Sequence, residues 1–133
     1  MGIYLNPGND EFYNAVEKSK IYVDKTELLE FTNSVLYGEH KNVCVSRPRR
    51  FGKTLGMSML ANFFDIRKDS HELFNGLAIS RDSGLCANWM NQYPTVFLTL
   101  KDVDGLDFES AKSMLQRRIA ELCRQYFYLT ESE

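Results

Sequence analysis

The chain has 133 residues, 44% hydrophobic and 26% charged, with a formal net charge of −2, which fits one ordinary globular domain and excludes a disordered, collagen-like or disulfide-stapled chain. The slight acidity argues against a strongly basic nucleic-acid binder. Cys44, Cys86 and Cys123 are odd in number and lack C-x-x-C spacing, which predicts reduced thiols rather than a zinc site or disulfides, and the absence of a long apolar run or a basic-then-apolar leader predicts a cytoplasmic domain with no membrane span.

One domain over 1–133 is expected, with 1–9 an irregular or flexible leader that holds the turn cluster Asn6-Pro7-Gly8-Asn9. Asp10 to Lys18 reads as a short helix carrying Phe12, Tyr13 and Val16. Ile21-Tyr22-Val23 is β-prone. Asp24-Lys25-Thr26-Glu27 has the form of a capping box, with the Asp24 carboxylate accepting from the first turn and Glu27 reaching back. Leu28, Leu29, Thr32, Val35 and Leu36 then recur at helical spacing, ending near Gly38.

Asn42 to Ser46 is a short apolar run that predicts a buried strand with Cys44 in the core. The loop 47–52 follows, and from Lys53 a second helical face carries Leu55, Met59, Leu60 and Phe63. Asn75-Gly76 predicts a turn, and Leu77-Ala78-Ile79 a brief extended piece. Trp89, Met90 and Tyr93 read as a core plug beside Pro94. Thr95 to Leu100 is the strongest strand signal. After a polar loop around Gly105, a long helix runs from about Phe108 to Tyr126, with Ala111, Leu115, Ile119, Leu122 and Tyr126 as its buried stripe and Cys123 beside it. Strand, helix, strand, helix with apolar strands predicts an α/β fold: a partial P-loop NTPase-like domain with a short parallel sheet flanked by helices. The isolated His40 and His71 have no metal-ligand partner spacing and read as surface residues.

A strand, a loop ending Gly52-Lys53-Thr54, and a helix form the sequence pattern of a phosphate-binding loop. The helix N-terminus leaves amides unpaired and carries partial positive charge. A glycine ahead of it lets backbone approach an anion. The lysine reaches phosphate oxygens, and the Thr54 hydroxyl can complete a Mg²⁺ shell. Against the pattern G-x-x-x-x-G-K-[ST], Arg47 stands at the first glycine and Pro48 lacks an N–H. In compensation, Lys41, Arg47, Arg49, Arg50 and Lys53 fall within 41–54, with no acid among them.

Tyr22-Val23-Asp24-Lys25-Thr26, Ser46-Arg47-Pro48-Arg49-Arg50-Phe51-Gly52-Lys53-Thr54-Leu55, Met57-Ser58-Met59-Leu60 and Phe63-Phe64-Asp65 resemble the bacterial AAA-ATPase-like family, as does the stretch from Tyr93-Pro94 through Leu100-Lys101-Asp102-Val103. Members of that family often carry a PD-(D/E)-x-K nuclease-like domain at the C-terminal end. The resemblance implies that Arg47 is the family's own form of the loop. It also implies P-loop topology and ATP binding, with Lys53 and Thr54 in the phosphate and Mg²⁺ roles.

The expected site is therefore Arg49, Arg50, Gly52, Lys53 and Thr54, with ATP and Mg²⁺ as cofactors and Thr54 as the metal ligand. Hydrolysis would need an apolar strand ending in acidic residues. Val96 to Asp102 is a poor candidate, because Lys101 interrupts it and Thr99 sits mid-run; Asp102 reads as a loop residue. The chain thus reads as the N-terminal portion of an AAA-ATPase-like domain, a nucleotide binder without assigned turnover. The alternative is a truncated, non-enzymatic interaction protein or inhibitor of a larger, defence-type nucleic-acid-processing complex. The Tyr126-Phe127-Tyr128 cluster would then serve as a contact patch for a protein partner or second copy. Nucleic-acid phosphate is a weaker candidate ligand of the arginine loop.

Overall fold

The structure, a computed structural model, describes residues 11–19, 21–101 and 103–131. The leader expected over 1–9 and the loop residue Asp102 lie outside the described residues. The chain gathers into two compact units, one up to Thr95 and one from Val96.

The first unit contains α1 (Phe12–Glu17), α2 (Glu27–Val35), α3 (Lys53–Phe64), α4 (His71–Phe74), a 3₁₀ turn (Ala78–Arg81) and α5 (Ser83–Trp89). Its core is built on three phenylalanines. Phe74 stacks on Phe12 at 4.9 Å and meets Phe63 edge-on at 5.3 Å, the two geometries that the ring quadrupole favours. Leu29, Met59, Leu73, Ile79, Leu85 and Met90 complete the cluster. Met59 and Phe63 lie four apart in sequence, so both point from α3 to the same side, and each large apolar side chain buried contributes about 1.5–3 kcal/mol. The short α1 is docked onto α3 by Phe12, whose backbone N–H donates to Ser58 Oγ at 3.0 Å.

The C-terminal end of α3 is closed by Asn91. This residue has φ 55, a left-handed conformation that Asn adopts more readily than most residues. Its backbone N–H donates to the Phe63 carbonyl at 2.7 Å, and its side-chain amide donates to the carbonyls of Asn62 and Asp65. Its side-chain oxygen accepts from Ser70 N–H at 2.9 Å. The Asn62 carbonyl also accepts from the Ser70 hydroxyl and the Asp65 carbonyl from Lys68 N–H, so it is the Phe63 carbonyl that depends most on Asn91.

The short parallel sheet flanked by helices is not formed. Among the described residues the only β pairing is an isolated parallel bridge between Asp65 and Tyr93, made by Tyr93 N–H to the Phe64 carbonyl and Ile66 N–H to the Tyr93 carbonyl. The runs 42–46 and 95–100 have strand composition but no ladder, and Val43, Val45, Val96, Leu98 and Leu100 are exposed. Local β propensity becomes a strand only when another backbone supplies its hydrogen bonds. Cys44 is accordingly exposed rather than in the core.

Three smaller expectations are also corrected. Thr26 occupies the N-cap of α2 and makes no capping bond to the helix; the Asp24 carboxylate instead accepts from Thr26 itself. Leu77-Ala78-Ile79 leads into a 3₁₀ turn rather than an extended piece. Of the expected core plug only Met90 is fully buried; Trp89 is partly buried and packs against the core, stacking on Tyr93 at 5.1 Å and tilting against Tyr37 at 5.4 Å.

The second unit is organised by α6 (Phe108–Gln125) and a 3₁₀ turn over Phe127–Thr130. Asp107 caps the helix, its carboxylate accepting from Ser110 N–H at 2.7 Å. That bond, with one from the Ser110 hydroxyl, holds the Asp107 carboxyl below its ordinary value. Gly105 is required by close approach, because a Cβ there would stand 2.5 Å from the Ala111 nitrogen. The expected stripe is buried at Tyr126 alone: Leu115 and Ile119 are exposed, as is Cys123. Tyr126 turns its hydroxyl to accept from Phe97 N–H at 3.1 Å. Within the aromatic cluster only Phe127 is widely exposed.

Candidate functional site: the arginine loop at the start of α3

The loop Arg47-Pro48-Arg49-Arg50-Phe51-Gly52 enters α3 at Gly52, its N-cap, which has φ 79. Arg50 is also left-handed, with φ 68. Glycine takes this conformation freely, whereas an arginine there costs on the order of 1 kcal/mol or more. Left-handed residues beside a helix entry are the local geometry from which anion-binding amide concavities are built.

Gly52 has no side chain with which to cap the helix. The first amide of this turn bonded within the chain is that of Gly56, to the Gly52 carbonyl at 2.8 Å. Among the described residues, no acceptor is bonded to the amides of Lys53, Thr54 and Leu55. These donors are at the positive end of a twelve-residue helix, where an anion is favoured.

Lys53 turns back across its own loop. Its Nζ donates to the carbonyl oxygens of Arg47 at 2.5 Å and Pro48 at 2.8 Å. Arg47, Arg49 and Arg50 are exposed, and Thr54 presents its hydroxyl at an exposed position one residue into α3. The structure thus brings Gly52, Lys53 and Thr54 together in the first helical turn, with Arg49 and Arg50 on the loop ahead of them.

Sequence reasoning missed one cation here. Lys25 Nζ reaches the Phe51 carbonyl at 3.4 Å, and a Cβ at Gly52 would lie 3.6 Å from it. Lys25 is in the Tyr22–Thr26 stretch that supports the family resemblance, but nothing in its spacing pointed across 26 residues to the loop. Its neighbours fix it. Asp24 Oδ1 accepts from the backbone N–H and hydroxyl of Thr26, and Asp24 Oδ2 accepts from Ala78 N–H at 2.6 Å. Thr26 Oγ1 accepts in turn from Ile79 N–H at 3.1 Å. Burial alone would raise the Asp24 carboxyl, but the bonds from Thr26 and Ala78 and the nearby Arg81 charge outweigh it and hold it below its ordinary value. Asp24 is therefore a tether, not the helix cap expected from sequence.

The remaining candidates stand apart from chemistry of this kind. His40 and His71 are exposed, and the described residues contain no group of three or more His, Cys, Asp or Glu placed to hold a metal. Burial and the neighbouring Asp82 raise the Cys86 thiol above its ordinary value, and its Sγ donates to the Ile79 carbonyl. No helix among the described residues is long and apolar enough to cross a membrane.

The cationic loop thus opens on a helix N-terminus that carries no side-chain cap. The family model described as predicted AAA-ATPase matches residues 7–133, and the chain belongs to this AAA-ATPase-like family. No curated protein and no solved structure matches it.

Proposed function

We propose that the chain is an ATP-binding module whose triphosphate site is the arginine loop and the first turn of α3. The observation that carries this reading is the juxtaposition at Gly52: a left-handed glycine, three amides without a bonded acceptor in the described chain, and Lys53 folded over the loop. Membership of a predicted AAA-ATPase family supports it.

The donor set suits Mg-ATP. Backbone amides of Gly52, Lys53 and Thr54 and the Lys53 ammonium would take phosphate oxygens, and Arg49 and Arg50 would add charge at the loop. The Thr54 hydroxyl would supply one oxygen to Mg²⁺, an ion that keeps most of its waters and needs few protein ligands. The metal would neutralise phosphate charge there. Binding rather than turnover is assigned, because no apolar run after the loop closes on paired acidic residues in this sequence.

The test is thermal unfolding with and without Mg-ATP. At a hundredfold excess over Kd the ligand contributes about 2.7 kcal/mol of stability, a shift that Lys53→Ala should remove. No shift in the wild-type protein at millimolar nucleotide would overturn the reading.

A second reading draws on a different observation. Val43, Val45, Val96, Leu98 and Leu100 are exposed aliphatic side chains in segments without helix or strand. Such segments suit a non-enzymatic interaction protein, an inhibitor of a larger complex among them. That reading expects a stable complex with a larger partner that forms equally well without nucleotide. Nucleotide binding with no recovered partner favours the first reading.

A further inference from the structure

We infer that Lys25 is a second phosphate-binding lysine of the arginine loop, delivered from outside the loop by the Asp24–Thr26 tether. The inference rests on the ATP-binding reading and deepens it by adding a residue that the loop motif does not contain.

Two independent features converge on Lys25. The first is position. Its ammonium lies 3.4 Å from the Phe51 carbonyl and 3.6 Å from where a Gly52 Cβ would stand, beside the backbone at which α3 begins. The second is how that position is held. The residues on either side of it are fastened to the 3₁₀ turn at Ala78–Arg81 through Asp24 Oδ2 and Thr26 Oγ1, and Thr26 is fully buried. The stem of Lys25 therefore starts from a fixed backbone even though its tip is exposed.

A purely structural role fits poorly. A bond of 3.4 Å is longer than the usual 2.7–3.2 Å for an N–H donor to oxygen, so the Phe51 contact anchors little. Among the described residues Lys25 makes no ion pair, so its charge is not committed to a carboxylate. Lys53 is in the same condition, held by neutral carbonyls alone. Both lysines can exchange those carbonyls for phosphate oxygens, a charge-assisted and stronger partner. The loop would then be gripped from two sides, by Lys53 from the helix and by Lys25 from the tethered segment ahead of α2.

The experiment measures Kd for Mg-ATP and for AMP on wild type, Lys25→Met and Lys25→Arg, with the unfolding temperature of each free protein as a control. Because Lys25 sits at the loop that would hold the β- and γ-phosphates, which AMP lacks, Lys25→Met should weaken Mg-ATP about tenfold, equivalent to about 1.4 kcal/mol, and AMP by less than about threefold. Lys25→Arg should bind Mg-ATP within about threefold of wild type. If wild type binds no Mg-ATP, the ATP-binding reading itself fails and takes this inference with it. If wild type binds but Lys25→Met binds equally well, or loses ATP and AMP alike, Lys25 is no phosphate ligand and the ATP reading survives alone. An arginine variant as weak as the methionine one would likewise overturn the inference.

Discussion

Lys53 donates to the carbonyl oxygen of Pro48 at 2.8 Å, so the residue expected to grip a phosphate is engaged by the loop it belongs to. With its second bond, to Arg47, this ammonium ties the two ends of the arginine loop together before any ligand arrives. A ligand must displace those carbonyls, and its net affinity is reduced by what they contributed.

The first prediction concerns the free protein. Lys53→Ala removes both cross-loop bonds, and Arg49 and Arg50 then become better protease sites. Limited trypsin digestion should cut after these arginines several-fold faster in the variant, while Arg47, followed by Pro48, stays resistant. Equal cleavage rates would show that Lys53 does not order the loop.

Acid stability turns on Asp65. It is buried, and Arg67 grips it with Nε at 3.0 Å and Nη2 at 2.7 Å, while the Arg67 backbone N–H adds a third donor. Burial pushes the carboxyl up, but the Arg67 bonds and the Arg67 and Lys68 charges outweigh it and hold it below its ordinary value. Asp24 is lowered in the same way. An unfolded aspartate titrates near about 3.9, so this stabilisation is complete above that pH and is lost as the pH falls through the lower folded values. Urea midpoints measured from pH 7 to pH 2 should fall steeply below about pH 4 in wild type and less steeply in Asp65→Asn. At pH 7, Arg67→Ala should cost about 1.5–2 kcal/mol, toward the lower end for a charged hydrogen bond because the guanidinium is partly solvated.

Asn91→Ala loses the side-chain bonds to Asn62, Asp65 and Ser70 and places a Cβ-bearing residue without a compensating side chain at φ 55. Chemical denaturation should show a loss of about 2–4 kcal/mol. Asn91→Gly relieves the backbone but not the missing bonds, and should recover only part of that loss. Full recovery with glycine would mean that the side-chain bonds contribute nothing.

In the second unit, Gly105→Ala would drive a Cβ to within 2.5 Å of the Ala111 nitrogen and 2.9 Å of Ser110 Cβ. Backbone has to move, at a cost of about 1–3 kcal/mol for overpacking of this kind. Amide exchange at Ser110 and Ala111 should speed up relative to the middle of α6. Unchanged exchange would show that the 103–107 turn yields without disturbing the helix.

The helices α1, α2, α3 and α6 were legible because their signals are local, whereas α4 and α5 were not foreseen. The apolar spacing of Leu55, Met59 and Phe63 predicts a helix from Lys53, which is where α3 begins, and the spacing after Phe108 predicts α6 to within a residue. The sheet was not legible, because alternating or continuous apolar residues report only that a segment would suit a ladder; Val43 and Val96 have no partner backbone in the described chain. Burial failed for the same reason at Cys44 and along α6 at Leu115 and Ile119. At the candidate site, Gly52, Lys53 and Thr54 fall in one turn because they are consecutive. Lys25 and Asn91 act through space, across 26 residues to Phe51 and 29 to Asn62, a kind of relationship that spacing does not encode.

The anchorage of α3 at its far end by Asn91 decides how the molecule must yield when its near end is loaded. A helix pinned through Phe63, Asn62 and Asp65 cannot slide along its axis without breaking several bonds at once. Displacement caused at Gly52 must therefore be absorbed on the loop side of that glycine, by rearranging the Lys53 bonds to Arg47 and Pro48, with the helix as a fixed post.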